Sequence, residues 1–517
     1  MRVASIKWHR KLAWVAGICA IGWALTGMLH PIMVWTSPVA ATRMPPLTPL
    51  DLTHAQPPAT LLADKVPGQV AEMRAIVLAG HTYYAVRQAD DPVRRYFDPE
   101  TGEERQRGDQ DRAIELARHY LGDPDTPVRD ARIVTAFDND YTPVNRLLPV
   151  WRVELGRDDG LVAYVDTGSG RMAAITDAGK RSMQALFRTI HTLSFIPGEA
   201  GPLRAAAIAL LVGSIAVSSL LGIVLLLLIR RRNPAPGGRH WHRLLGYAAA
   251  LPALAFTLSG LWHLLLGQDG STDATPAVRA QSLDLATLSS DLAGLWQGFG
   301  PDTAPVALSF LAAPDGSALL RLVPPPTWSA APVAASGAHH GHDGHHGGEH
   351  DHGAHGQPVS QDGHDDHQAR LALFRGIPTG GSGVLLTAGD LRPLPGNEEA
   401  AARALARALS GEPVADDAQT RLVTRFGADY GFANKRLPVW RVELPGDRAL
   451  FVDLADATIA ATTDPGLRRA GWVFDIFHKG GFMDAIGPVA RDIILMLAAL
   501  LIAAVSAVGL SLLVRRR

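Results

Sequence analysis

The chain has almost no cysteine: one, Cys19, in 517 residues. Intramolecular disulfides, thiolate zinc sites, cysteine-ligated clusters and the CxxCH attachment of c-type haem are thereby excluded. Any metal or haem must be held by His, carboxylate or Met. Charge of one sign is also lacking. Lys and Arg number 49, Asp and Glu 50, and the net charge is −1, so nothing points to nucleic acid. No Rossmann fingerprint, P-loop, HExxH or Ser-His-Asp arrangement is present. The glycine-rich "TGGSGVLL" from Thr379 lacks any such pattern. Hydrolysis and direct use of a nicotinamide donor have no support.

What is present is lipid-like sequence. A mean hydropathy of +0.07 averages very different segments. Four apolar runs span Leu12–Trp35, Ala205–Ile229, Leu244–Leu266 and Ile493–Val514. Each approaches the ~20 residues that cross a hydrocarbon core. The first exceeds the roughly 7–15 apolar residues of a signal peptide and is expected to remain as an anchor. The flanks "MRVASIKWHRK", "RRRNPAPGGRHWHR" and "RRR" are cationic and fall on one side of a four-span arrangement. The positive-inside rule makes that side cytoplasmic.

The predicted organisation is a cytoplasmic N-terminus (1–11), a first span (12–36), an external segment (37–203), a second span (204–230) and a cytoplasmic loop (231–243). A third span (244–266), a second external segment (267–486), a fourth span (487–514) and a cytoplasmic end (515–517) complete it.

The halves repeat. At a spacing of 233, Trp8, His9, Arg10, Leu12, Leu25, Gly27 and His30 match Trp241, His242, Arg243, Leu245, Leu258, Gly260 and His263, and Thr26 becomes Ser259. "RLLPVWRVELGRDDGLVAYVDTGSGRMAAITD" from Arg146 matches "KRLPVWRVELPGDRALFVDLADATIAATTD" from Lys435. "LARHYLGDP" from Leu116 matches "LARALSGEP" from Leu405, and "LFRTIHTLSF" places His191 where "VFDIFHKGGF" places His478. "VWRVEL" and "LVAYVD" alternate as strands, "DTGSG" is turn chemistry, and "LARHYLG" has helical spacing. Each unit reads as a helix laid on a small antiparallel sheet. Two spans per unit keep both units in one orientation, the parallel-repeat arrangement. Trp151 and Trp440 read as sheet-core anchors, and Asp166 and Asp453 as turn residues.

These residues resemble PepSY domains, and the whole arrangement resembles the PepSY-associated transmembrane family: "LPVWRVEL…VDTGSGR", the "HR" opening spans one and three, and the histidine before spans two and four. The likeness covers the chain outside the linker at about 267–370. It implies a membrane α-helical protein of the bacterial inner membrane. Its four transmembrane helices form two parallel repeats and carry two extracytoplasmic α+β PepSY-like domains. The characterised members of the family include haem-containing ferric-siderophore reductases. PepSY domains elsewhere are proposed peptidase inhibitors or binding modules.

His9 to His30 and His242 to His263 are each 21 residues apart, ~31 Å of helix, one bilayer thickness. Polar residues repeated at such positions are functional candidates. Two imidazoles on facing helices can take both axial positions of a haem iron, and without cysteine the haem is of the b type. Zinc is a weaker fit, since a matched pair offers two ligands where zinc takes at least three from protein. A twofold axis pairs His9 with His242 at the cytoplasmic face. On the outside His30, His263, His191 and His478 are candidates for a second haem, with their pairing open. His240 is a rival to His242 without a counterpart in the first half. Arg10 and Arg243 are propionate candidates or simply flanking charge. Trp14, Trp23 and Tyr247 lie between the layers, where core packing accounts for them as well as a relay does.

Between the third span and the second sheet unit, "HHGHDGHHGGEHDHGAHGQPVSQDGHDDH" (339–367) holds ten of the chain's 20 histidines: His339, His340, His342, His345, His346, His350, His352, His355, His364 and His367. The composition cannot bury a core, and its imidazoles suit Cu, Ni, Zn or Fe. The functional expectation is a reductase with two haems b. Electrons come from a quinol or a cytoplasmic donor and pass to a periplasmic ferric-siderophore or another oxidised metal. The alternative is a non-catalytic PepSY scaffold that binds or senses metal, or regulates a peptidase.

Overall fold

The structure, a computed structural model, describes residues 2–42, 44–197, 201–229, 237–266, 282–325, 381–427, 429–431 and 434–515. The histidine-rich stretch 339–367 lies outside them.

Four helices among the described residues are long and apolar enough to cross a membrane: Val3–Thr36, Pro202–Leu228, Gly238–Leu266 and Pro488–Val514. A helix satisfies all its backbone hydrogen bonds internally, which hydrocarbon requires. The first comprises α1 (Arg2–Gly27) and α2 (Leu29–Thr36). Pro31 follows the junction and has no N–H to give the Gly27 carbonyl, so the ladder loosens there. The other spans are α6 (Pro202–Leu228), α7 (Gly238–Leu266) and α11 (Pro488–Val514). They form a ring in which α1 and α7 each touch both α6 and α11 and face each other across the centre. The buried middle is Ala16, Ala20, Ala249, Ala253, Ile215 and Ile502. Alanines let helix backbones approach closely where lipid supplies no hydrophobic drive.

The segments between α2 and α6 and between α7 and α11 lie on one side of the spans and contain three sheets. One four-stranded sheet runs β5 (Val128–Val134), β6 (Val150–Leu155), β7 (Val162–Asp166), β8 (Arg171–Thr176). The other runs β12 (Thr420–Val423), β13 (Val439–Leu444), β14 (Arg448–Asp453), β15 (Thr458–Thr463). Both are antiparallel meanders; Trp151 pairs with Val165 in one and Trp440 with Val452 in the other. Helix α4 (Gly108–Leu121) covers the first sheet with Ala113, Leu116, Ala117 and Tyr120, one face of a 3.6-residue period. Helix α9 (Asn397–Ser410) covers the second with Ala401, Ala402, Leu405 and Ala406.

The third sheet draws on both halves of the chain. It has seven strands, in which β1 (Val70–Leu78), β2 (His81–Gln88), β3 (Arg95–Phe97) and β4 (Glu104–Arg105) continue β9 (Ala307–Ala312), β10 (Ala318–Val323) and β11 (Val384–Thr387). The seam is β1 against β9, antiparallel, with Met73 opposite Phe310 and Ala75 opposite Leu308. Its core includes Met73, Tyr84, Phe97, Leu308, Phe310 and Leu320, with the short helices α3 (Pro58–Leu62) and α8 (Leu292–Trp296) packed in.

Buried ion pairs bind the sheets together. Glu72 on β1 accepts from Arg74 (2.7 Å), Arg87 (3.3 Å) and Arg94 (2.9 Å). Arg94 also reaches Asp166 at 3.3 Å, and Arg74 reaches Asp456 and the Ala455 carbonyl beyond β14. Arg146 meets Asn434, and Arg171 meets the Leu437 carbonyl, directly between the two four-stranded sheets. A buried charge without its partner is costly, so these contacts hold the three sheets in one arrangement.

Two further expectations have a structural outcome. Trp151 and Trp440 are buried, and their indole N–H groups donate to Asp109 (2.7 Å) and Glu398 (3.0 Å) on the covering helices. Asp166 does accept from the Gly168 and Ser169 amides as a turn residue, but it is also the buried partner of Arg94.

Candidate functional site

His9 and His242 sit on α1 and α7, the two helices that oppose each other across the ring. Their ring centroids are 6.3 Å apart. His9 Nδ1 lies 3.0 Å from the Ser218 carbonyl of α6, and His242 Nδ1 lies 3.0 Å from the Val505 carbonyl of α11. A carbonyl only accepts, so each Nδ1 carries the proton and donates. Each Nε2 keeps its lone pair, which is how outer hydrogen bonds prepare imidazoles for a metal. Two metal–imidazole bonds of about 2 Å each, plus the two half-rings, put centroids about 6 Å apart. The donor set and spacing therefore fit one metal centre between two imidazoles. Gly222 and Gly509 make room: a Cβ on Gly509 would stand 2.9 Å from His242 Cε1, and one on Gly222 3.7 Å from His9 Cε1.

At the sheet-side end two short helices lie against the spans. Helix α5 (Ala178–His191) packs on α1 and α2, and α10 (Pro465–His478) packs on α7. Each ends on its histidine. Thr26 Oγ1 donates to the Gly22 carbonyl (2.7 Å), so its lone pairs accept from His191 Nδ1 at 3.2 Å. His478 Nδ1 donates toward the Phe256 carbonyl (3.2 Å), with Ser259 Oγ at 3.3 Å. These rings too keep Nε2 for a ligand. Gly27 and Gly260 face the two rings, where added Cβ atoms would stand 3.5 and 3.6 Å away. Trp23 Nε1 donates to the His191 carbonyl at 3.1 Å.

His30 and His263 are placed differently. Phe187 stacks on His191 at 4.6 Å and meets His30 at 6.4 Å; Phe474 stacks on His478 at 4.5 Å and on His263 at 4.3 Å. Each phenyl ring thus contacts both histidines of its own half. His30 is exposed, and His263 Nδ1 is buried without a hydrogen-bond partner.

Of the other residues singled out in the sequence, Arg10 is exposed and Arg243 donates to its helix neighbour Tyr247 (3.1 Å). The His240 ring meets Trp241 edge-on at 5.8 Å. Tyr247 is exposed, so it is not part of a core between the layers. The ten histidines of 339–367 lie outside the described residues, and no group of three or more metal-ligating side chains occurs among the described ones.

Sequence reasoning missed Gly222, Gly509, Phe187 and Phe474. The signal was there: the offset that carries His191 onto His478 also carries Phe187 onto Phe474, Gly222 onto Gly509 and Arg204 onto Arg491.

Four membrane-length helices with a large α+β body on one side define a multi-span membrane protein, for which a lipid bilayer is the environment. A family described as "PepSY-associated TM region" matches residues 6–516, nearly the whole chain, and the protein belongs to that family. Neither a comparison with curated proteins nor one with solved structures finds a match.

Proposed function

We propose that the chain is a b-type haem reductase of the bacterial inner membrane, carrying electrons to an oxidised metal, such as a ferric siderophore, on the sheet side. The positive-inside pattern makes the sheet side periplasmic, and a quinol or a cytoplasmic protein is the donor. The two α+β sheet units are PepSY-like domains related by the internal repeat.

The observation that carries this reading is the opposition of His9 and His242 at 6.3 Å, each with Nδ1 committed to a carbonyl of a neighbouring span. A haem bound at each layer supplies a one-electron ferric/ferrous couple. His9 and His242 hold one, and His191 and His478, the sheet-side pair with the same Nδ1 arrangement, hold the other. His30 and His263 line the sheet-side site without ligating. The Ser218 and Val505 carbonyls and the Thr26 and Ser259 hydroxyls fix tautomer and ring orientation. Between the layers the alanine-rich centre excludes water. From His9 to Thr26 is roughly 26 Å of helix rise, so the two pairs lie near opposite faces of the bilayer.

The test is the visible absorption spectrum of the full chain purified in detergent, oxidised and dithionite-reduced. Replacing His9, His242, His191 or His478 by Ala removes about half of the bound haem, and replacing His30 or His263 leaves the content unchanged. A colourless wild-type protein refutes the reading and favours the scaffold alternative. Haem retained in the His9 and His242 variants refutes that pairing.

A further inference from the structure

Helix α5 is inside-out for a helix in water. Its exposed stripe is Ser182, Ala185, Leu186, Thr189 and Ile190, at i, i+3, i+4, i+7 and i+8, with no charge. Its cations turn the other way, into the protein: Lys180 Nζ donates to the Ile175 carbonyl (3.1 Å), Arg181 to the Gly160 carbonyl (3.0 Å) and Arg188 to the Asp138 carbonyl (3.4 Å). A helix facing water presents the opposite pattern. The corresponding elements of the second half also turn aromatic bulk outward, on α10 beside the exposed charges Arg469 and Asp475. Trp472 and Phe477 of α10 are 62% and 47% exposed. Phe195, after α5, and Phe482, after α10, are 67% and 66% exposed at matching positions.

Depth says what covers these faces. The C-terminal end of α5 lies against Gly22, Thr26 and Gly27 of the first span, whose helix continues to Thr36. Nine or more residues of helix, roughly 13 Å, therefore run past that contact toward the sheets. The exposed stripe lies alongside a membrane-spanning helix rather than beyond it.

We propose that α5 and α10, with Phe195 and Phe482, are wedges set into the sheet-side leaflet, so that lipid covers their outward faces. Amphipathic helices lie in this way at the boundary of headgroups and acyl chains, and Trp472 is placed as an interfacial aromatic anchor. The wedges hold the sheets down on the bilayer, and they place His191 and His478 beneath the membrane surface. A water-soluble partner on the sheet side thus cannot approach these histidines from the flank and must come from between the sheet units. The inference needs only the bilayer and no cofactor.

The test is site-directed spin labelling of the full chain in lipid nanodiscs, in a Cys19→Ala background. Nitroxides at Leu186→Cys, Phe195→Cys and Phe482→Cys are compared with one at Asp158→Cys, on an exposed sheet-side turn. The wedge positions should be severalfold more accessible to molecular oxygen, relative to an aqueous nickel chelate, than Asp158→Cys. Equal ratios at all four positions overturn the proposal. Shielding of the wedge positions from both reagents also overturns it, since that is the mark of a covering protein such as a second copy. A measurement without the cysteine variants is quenching of Trp472, by difference against Trp472→Phe, with lipids brominated near the headgroup. Quenching supports the proposal, and quenching by aqueous iodide alone overturns it.

Discussion

The pair Gly222 and Gly509 offers a sharp test, because the two positions correspond in sequence but not in clearance. An added Cβ at Gly509 would stand 2.9 Å from Cε1 and 3.3 Å from Nδ1 of His242, whereas one at Gly222 would stand 3.7 Å from His9. Carbon atoms rest at about 3.5–4.0 Å, so Gly222→Ala meets ordinary contact and Gly509→Ala forces His242 away by roughly half an ångström. In a helix interior Ala is favoured over Gly by about 0.8–1 kcal/mol. Overpacking costs about 1–3 kcal/mol, so the gain survives at Gly222 and is cancelled or reversed at Gly509. His242 cannot yield freely, because the move stretches its 3.0 Å hydrogen bond to Val505, and ligand geometry tolerates only about 0.5 Å. On the haem reading proposed above, the assay is haem per chain, read from the dithionite-reduced spectrum, alongside a thermal melt. Gly509→Ala should lose about half the haem and melt no higher than wild type. Gly222→Ala should keep its haem and melt at the same temperature or slightly higher. Equal haem in the two variants would refute the reasoning about His242.

Thr26→Val removes the acceptor of His191 Nδ1 at nearly constant volume, so on the proposed reading haem at the sheet-side site should be lost or its reduction midpoint displaced, while Thr26→Ser retains both. Glu72→Ala leaves Arg74, Arg87 and Arg94 without their shared carboxylate; removing one partner of a buried pair costs about 3–5 kcal/mol, which urea unfolding followed by tryptophan fluorescence should show. Asp166 and Asp453 fix the acid limb. Burial pushes both carboxyls up, but Arg94 at Asp166 and Arg171 and Arg436 at Asp453 outweigh it, and both end below the usual carboxylate range. A depressed folded pKa gives stability that is complete above the unfolded value, about 3.9, and is lost as pH falls through the folded one. Stability of the sheet region should be unaffected by these groups above about pH 5 and fall below about pH 4, with Asp166→Asn weakening that fall.

The sequence alone determined the spans, because twenty-residue apolar runs have one stable solution in a bilayer. It also pointed to a helix on a small antiparallel sheet in each half, because alternation in "VWRVEL" and a helical period in "LARHYLG" are local properties; that each sheet has four strands came from the structure. His9 and His242 were legible as a pair because repetition leaves one partner for each at that end. At the other end four histidines were equivalent on paper. Only tertiary structure shows how they differ: His191 and His478 have their Nδ1 atoms within reach of Thr26 and of Phe256 and Ser259, whereas His263 Nδ1 is buried without a hydrogen-bond partner. The seven-stranded sheet was likewise hidden. Alternation reveals that β1 and β9 are strands, but their pairing joins residues more than two hundred positions apart, and register across such a seam is set by the packed faces rather than by local pattern. The outward apolar face of α5 became informative only once tertiary structure decided which way the helix turns its charges.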